Sequence, residues 1–186
     1  MDLITEAIIF ASKAHDGMRR KLSSTAYIMH PLEAAVITSS LTTDPEIIAA
    51  SVLHDVVEDA NVLPEEIEQK FGKRVKELVM AETENKRRYQ RPEDSWKIRK
   101  REAIDYLTKT QDMGVKILYL GDKLSNLKSI YRDFKAQGDA IWQKFNQKDP
   151  MEHKWYYTEI SKALSEFKDS YAWKEYNELI KIIFDK

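Results

Sequence analysis

The chain of 186 residues has no cysteine. That absence excludes disulfide staples, thiolate metal sites and cysteine nucleophiles. Glycine and proline number five each, which excludes collagen-like, proline-rich and glycine–serine linker classes. With so little linker material, residues 1–186 are expected to form a single domain, and 42% hydrophobic residues supply one sizeable core. Neither sign of charge is in excess: 30 basic side chains stand against 31 acidic ones, net −1. This balance argues against disorder and against an obligate nucleic-acid binder, which usually carries a basic excess. No apolar run approaches the ~20 residues that span a bilayer. The first twenty residues do not read as a signal peptide. Asp2 and Glu6 stand where a basic region is needed, and Ser12, Lys13 and His15 break the apolar stretch. A cytoplasmic location with no membrane or nucleic-acid partner is expected; oligomeric state is not legible.

What is present is helical periodicity. Leu3, Ile4, Ala7, Ile8 and Ala11 recur at amphipathic spacing. Pro31 is expected to open a second helix. Asp44-Pro45-Glu46 is a strong helix start, with Asp as N-cap and Pro at the first helical position. The helix it opens is read as running from Ile47 to Val57, apolar nearly all round, and central to the bundle. Further helices are expected around Ile67–Phe71, Val75–Val79 (after a break at Gly72) and from Pro92 through Leu107. Val115–Leu120 could be a strand by composition, but no partner strand appears, so it is read as a buried helix. Short helices are expected at Ile130–Tyr131 and Ile141–Phe145, followed by one from Trp155 to Phe167 and one from Tyr176 to Ile183. Trp142, Phe145, Trp155 and Tyr156 are read as core rather than as a base-stacking platform. The fold class expected is all-α, a single helical bundle.

Charge is distributed in blocks. Residues 41–84 carry eleven acidic side chains against four basic ones, whereas residues 86–101 carry eight basic against two acidic. The bland reading is two solvated helix faces. The sharper one is a metal-dependent phosphate chemistry. Leu53-His54-Asp55-Val56-Val57-Glu58-Asp59 points the same way, because four polar residues interrupt the most apolar helix in the chain. Burying them without partners would cost several kcal/mol. On one continuous helix they would form a polar stripe that a divalent metal would neutralise, with His54 and Asp55 as ligands and Glu58 and Asp59 free one turn on. The alternative is an acidic edge facing water, with His54 hydrogen-bonded in the core. Adjacent residues cannot complete a coordination sphere, so further ligands must come from other helices. His30 and Asp122 are the candidates. Read alone, His30 could be a core residue or turn donor, and Asp122 could cap a helix. His153 is read as exposed, and His15 as a capping or supporting residue.

Ordered strings carry a family resemblance over about residues 1–135. They are Ala14-His15-Asp16-Gly17, Arg20-Lys21, Tyr27-Ile28-Met29-His30-Pro31, His54 to Asp59, Phe71-Gly72-Lys73-Arg74-Val75 and Gly121-Asp122-Lys123-Leu124-Ser125-Asn126. The chain resembles the HD superfamily of metal-dependent phosphohydrolases, and within it the (p)ppGpp hydrolases of the RelA/SpoT homologues and the stand-alone small alarmone hydrolases. The resemblance implies a motif core over 1–135 with helices 136–186 packed on it. It implies His30, His54, Asp55 and Asp122 as ligands of Mn²⁺, Glu58 and Asp59 as the catalytic acidic pair that positions and activates water, and Arg20, Lys21 and Asn126 as substrate contacts. Ser125 stands where these hydrolases often have histidine or another larger residue, and Lys123 where they often have arginine.

The donor chemistry agrees: a mixed set of imidazoles and carboxylates suits Mn²⁺, Fe²⁺ or Zn²⁺ better than Mg²⁺ or Ca²⁺. No serine or cysteine nucleophile motif and no phosphate-cradling glycine loop is present, so water is the expected nucleophile. The substrate expected from the resemblance is a small-molecule nucleotide, guanosine 3′,5′-bis(diphosphate). Another nucleotide, cleaved by an HD-type nucleotidase or phosphodiesterase, and a nucleotide-sensing module without turnover are the competing readings. The basic block, with Arg87, Arg88 and Arg91, is expected either to fold over the site as a lid that meets phosphates or to be a solvated helix far from it.

Overall fold

The computed structural model describes residues 1–21, 23–87 and 89–185, so Arg88 lies outside the described residues. Helix α1 (Leu3–Ala14) starts at Asp2, whose carboxylate accepts the Thr5 N–H at 2.9 Å and so satisfies one of the free amides of the first turn. An irregular stretch follows, with one antiparallel bridge between Arg19 and Ala26. Helix α2 (Met29–Ser39) begins two residues before Pro31 and carries His30 in its first turn. Helix α3 (Pro45–Leu53) opens at Asp44 as the sequence predicts, with the Asp44 side chain accepting from Glu46 N–H at 2.9 Å. Every residue of α3 from Ile47 to Leu53 is buried.

The long central helix expected to reach Val57 is not continuous. It stops at Leu53, turns at His54-Asp55, and resumes as the single turn α4 (Val56–Asp59). The reason is local. His54 Nδ1 donates back to the Ser51 carbonyl at 2.8 Å. Neighbours on an unbroken helix point about 100° apart. Across the break, His54 Nε2 lies 3.2 Å from Asp55 Oδ2.

Helices α5 (Pro64–Phe71) and α6 (Lys73–Glu82) meet at Gly72, whose φ of +90° lies in the left-handed region that favours glycine. Helix α7 (Pro92–Lys109) leads to α8 (Met113–Gln137). Asp112 caps α8 by accepting from Gly114 N–H at 2.9 Å, and Arg74 holds the same carboxylate through two bonds of 2.6 and 2.7 Å. Val115–Leu120 lies inside α8 and is buried throughout, so the helical reading of that run holds. Ile130 and Tyr131 are not a separate short helix. They continue α8, which nothing interrupts before Gly138. A 3-10 helix (Gly138–Lys144), α9 (Pro150–Ala163) and α10 (Tyr171–Phe184) complete the chain. Among the described residues there is no strand, and the architecture is all-α. No helix among them is long and apolar enough to cross a membrane.

Helix α3 packs against α1, α2, α6 and α8, while α9 and α10 pack against α7 and α8 respectively. Leu53, Leu118, Leu120 and Leu124 are fully buried at this junction. Each contributes roughly 1.5–3 kcal/mol of transfer free energy. Helices α2 and α8 pass so closely that a β-carbon on Gly121 would lie 2.9 Å from the Ala34 carbonyl and strike the Thr38 hydroxyl. The C-terminal helices bury an aromatic group in which Trp142 stacks on Phe184 at 5.5 Å. His153 is not exposed as expected. It is buried between Trp96, Trp142 and Phe145 because its Nε2 meets the Gln147 carbonyl at 2.8 Å.

Candidate active site

Four donor residues from different parts of the chain converge where α2, the α3–α4 turn and α8 meet. His30 Nε2 lies 3.0 Å from Asp122 Oδ1 and 3.5 Å from Asp55 Oδ2. His54 Nε2 lies 3.2 Å from Asp55 Oδ2 and 3.4 Å from Asp122 Oδ1. The two imidazole Nε2 atoms are 3.3 Å apart. His30, His54 and Asp122 are 5%, 2% and 3% exposed, so water screens none of them.

The arrangement fits a divalent metal on its own chemistry. Both Nδ1 atoms are engaged elsewhere, at Ser125 Oγ and the Ser51 carbonyl, which leaves both Nε2 atoms facing two carboxylate oxygens. So many lone pairs in one buried volume need a shared cation or proton. Nitrogen and oxygen donors in equal number match a transition metal. The pKa directions describe the proton that stands in. Burial opposes charge on His54, but the Asp55 and Asp122 carboxylates outweigh it and raise this imidazole well above its usual range. His30 is lowered, chiefly by burial. Burial also opposes the Asp122 charge, yet Lys123 and the imidazoles hold its carboxyl well below the usual range.

Beside this centre lie Glu58 and Asp59. Tyr27 links the two sets: its hydroxyl is 2.8 Å from Asp55 Oδ2 and 2.7 Å from Asp59 Oδ2. Glu58 Oε2 accepts the Glu84 N–H at 2.9 Å, and Lys86 Nζ reaches Glu58 Oε1 at 3.1 Å and also bonds Asp59. Burial first and the Asp55 charge second push the Glu58 carboxyl up, against the pull of Lys86. A carboxyl so raised is a better proton acceptor at neutral pH than an exposed one.

A cleft of about 550 Å³ opens onto both groups and falls within the usual range for small-molecule sites. Arg20, Lys21, Lys86, Lys100 and Lys123 line it. A cavity of similar size, about 580 Å³, lies between α6 and α7 but holds none of the four converging donors. Asn126 lies one turn beyond Asp122 on α8. Its amide nitrogen donates to Asp122 Oδ1 at 2.7 Å, and its oxygen accepts from Arg20 at 2.9 Å.

The structure thus brings together all nine candidate residues: His30, His54, Asp55, Asp122, Glu58, Asp59, Arg20, Lys21 and Asn126. The helix that carries the polar stripe is interrupted after Leu53, while His54 and Asp55 still face one centre with Glu58 and Asp59 beside it. The basic block matches neither expectation in full: Lys86, Arg99 and Lys100 line the cleft, so the block does not lie far from the site. Residues 92–101 belong to α7, where Arg99 and Lys100 bond Glu84 at 2.7 and 2.6 Å. Arg87 pairs with Glu102 and Arg91 with Asp94, away from the cleft lining. The sequence does not point to Tyr27 and Lys86 as partners of the acidic pair. The only signal for Tyr27 was its place in the His30 string. Lys86 had none beyond being the first cation after the acidic block. His15 ends α1, buried, with its ring 4.8 Å from that of Tyr27.

Comparison with known proteins places the chain in a family. The HD domain family matches residues 7–152. The chain belongs to that family. It is 38% identical over 133 residues to guanosine-3′,5′-bis(diphosphate) 3′-pyrophosphohydrolase MESH1 of Xenopus tropicalis, covering 70% of each chain. It is 35% identical over 128 residues to a guanosine-3′,5′-bis(diphosphate) 3′-pyrophosphohydrolase of Aquifex aeolicus, covering 69% of this chain and 18% of that enzyme. The chain therefore spans less than a fifth of the length of that larger relative. Among solved structures, a metazoan ortholog of SpoT described as hydrolysing ppGpp superposes with a TM-score of 0.77 at 25% identity, covering 98% of this chain and 96% of the other. A Listeria monocytogenes protein, lmo0812, superposes with a TM-score of 0.72 at 31% identity, covering 84% and 99%. Membership of the HD domain family implies a divalent metal, and His30, His54 and Asp122, with Asp55 beside them, are where this HD domain could hold one.

Proposed function

We propose that the chain, as one HD-type unit over residues 1–186, is a Mn²⁺-dependent guanosine-3′,5′-bis(diphosphate) 3′-pyrophosphohydrolase. The observation that carries the reading is the convergence of His30, His54, Asp55 and Asp122 beside a raised Glu58 carboxyl in a cation-lined cleft. The names of the MESH1 and SpoT relatives supply the substrate. A metal held by the four donors would lower the pKa of a bound water and polarise a phosphoryl oxygen. Glu58 takes the water proton, and Asp59, tied to Tyr27 and Lys86, holds the pair in place. The water oxygen forms a bond to the phosphorus attached to the ribose 3′ oxygen. The bond from that phosphorus to the 3′ oxygen breaks, the oxygen takes up the proton that Glu58 accepted, and pyrophosphate leaves. Arg20 and Lys21 at the cleft wall orient the phosphates by charge. The reading includes a cytoplasmic location.

The test is an assay of the Mn²⁺-loaded protein against ppGpp, nucleoside mono- and triphosphates and a cyclic dinucleotide. Release of pyrophosphate from ppGpp, well above turnover of the others, is the expected result. Preferred turnover of a monophosphate or a cyclic dinucleotide would replace the substrate reading with a nucleotidase or phosphodiesterase one.

A further inference from the structure

A metal-ligating imidazole must be neutral, and in that state His30 has one proton and two competing acceptors. On the Nε2 side, Asp122 Oδ1 waits at 3.0 Å; on the Nδ1 side, Ser125 Oγ lies at 2.9 Å. A carboxylate is the stronger acceptor, so the proton left to itself would settle on Nε2 and occupy the lone pair that a metal needs. Something must hold it on Nδ1.

The structure offers a candidate one bond further out. Ser125 Oγ lies 2.7 Å from Glu33 Oε2, and a carboxylate can only accept, so the serine O–H donates to Glu33. With its single proton committed there, Ser125 Oγ is free to accept from His30 Nδ1–H. The His30 carbonyl, at 3.5 Å, is a weaker alternative for the serine proton. Glu33 is held as an anion: burial opposes its charge, but Arg132, 3.1 Å away, and Ser125 outweigh that and lower its carboxyl. Ser125 is 1% exposed, so no water competes. His30 and Glu33 lie one turn apart on α2, and Asp122 and Ser125 one turn apart on α8. The close passage of the two helices at Gly121 brings all four into register.

We propose that Ser125 and Glu33 are positioning residues for the metal centre, a buried relay from His30 Nδ1–H to Ser125 Oγ and from the Ser125 hydroxyl to Glu33 that keeps the Nε2 lone pair of His30 turned inward. The inference rests on His30 being a metal ligand. Outer partners of this kind usually change metal affinity by about 10–100-fold when removed.

Two readouts on the full chain test it. Two-bond ¹H–¹⁵N spectra of the metal-free protein above neutral pH should show His30 protonated at Nδ1 in the wild type and shifted towards Nε2 in Ser125→Ala. Mn²⁺ titration, followed by the paramagnetic signal of the free ion, should show affinity weakened by about 10–100-fold in Ser125→Ala and Glu33→Ala. Glu33→Gln keeps an accepting oxygen and should lie between Glu33→Ala and the wild type in both. Arg132→Ala leaves the two relay bonds in place and should leave the tautomer unmoved. Glu33 is only half-buried, so its variants keep the test decisive should Ser125→Ala fold poorly. A wild-type His30 protonated at Nε2, or wild-type Mn²⁺ affinity in both Ser125→Ala and Glu33→Ala, would overturn the relay alone. A wild-type chain that takes up no divalent ion would overturn the metal reading, and the relay with it.

Discussion

Two groups of carboxylates share one cleft, and the chain neutralises them differently. At the rim, Glu58 and Asp59 pair with Lys86, and Glu84 with Arg99 and Lys100. At the centre, Asp55 and Asp122 face two imidazoles whose Nδ1 atoms are tied off outside, and only the far oxygen of Asp122 meets a lysine. The rim is thus closed on itself by internal cations, whereas the centre keeps four donor atoms turned on one another. Acidic residues pointing into a cleft are common. Acidic residues left facing two imidazoles, with only a displaceable proton on His54 between them and beside neighbours paired with lysine or arginine, mark the place built for an external cation.

The sharpest way to break this contrast is at the centre. Replacing His54 or Asp122 by alanine should reduce metal uptake by more than the 10–100-fold typical of outer partners and abolish hydrolysis. Full metal content in His54→Ala, read by elemental analysis, would remove the distinction between the two groups. Glu58→Gln comes next: it should retain the metal and lose turnover by roughly 10²–10⁴-fold. Wild-type rates there would leave Glu58 with no part in the chemistry.

Acidity should separate the regions further. His54 is raised above the ordinary imidazole range in the metal-free protein, so its proton must leave before Nε2 can bind. Metal affinity should fall as pH falls below that raised value, by about tenfold per pH unit for one displaced proton, and uptake should release protons in calorimetry across two buffers. A pH-independent affinity would mean that His54 is not a ligand.

The rim responds with a smaller effect. Burial opposes the Glu84 charge, but Lys100, Lys123 and Arg99 hold its carboxyl down at about 2. The folded value is depressed, so this contribution is present above the unfolded carboxylate range near pH 4.5 and is lost as pH falls towards 2. Glu84→Gln should cost about 1–3 kcal/mol by urea denaturation at neutral pH, and less at pH 3. Equal losses at both would show that the rim cations do not depend on Glu84.

Much of this could be read in the sequence because the signals were local and chemically unusual. Asp44-Pro45-Glu46 fixed a helix start by capping, and His54, Asp55, Glu58 and Asp59 could not be buried without partners. The break at His54 was not legible, since it depends on an imidazole turning back to the Ser51 carbonyl, a contact that leaves no mark on apolar periodicity. The length of α8 is not legible from the apolar run Val115–Leu120, because Gly121-Asp122 follows it and that glycine lies inside the helix, where α2 passes closely. Lys86 and the Ser125–Glu33 pair act across 27 to 92 residues of chain. Only the folded arrangement of helices pairs them.

The contact at Gly121 has a consequence for anyone screening variants. The spacing of α2 and α8 there depends on glycine having only a hydrogen where any other residue has a β-carbon. A single added methyl group would wedge the helices that carry His30 and Asp122 while every ligand, acidic residue and basic residue stayed in the sequence. A selection for lost function should therefore recover Gly121 alleles alongside ligand alleles. A genotype check that counted only intact histidines and aspartates would score them as active.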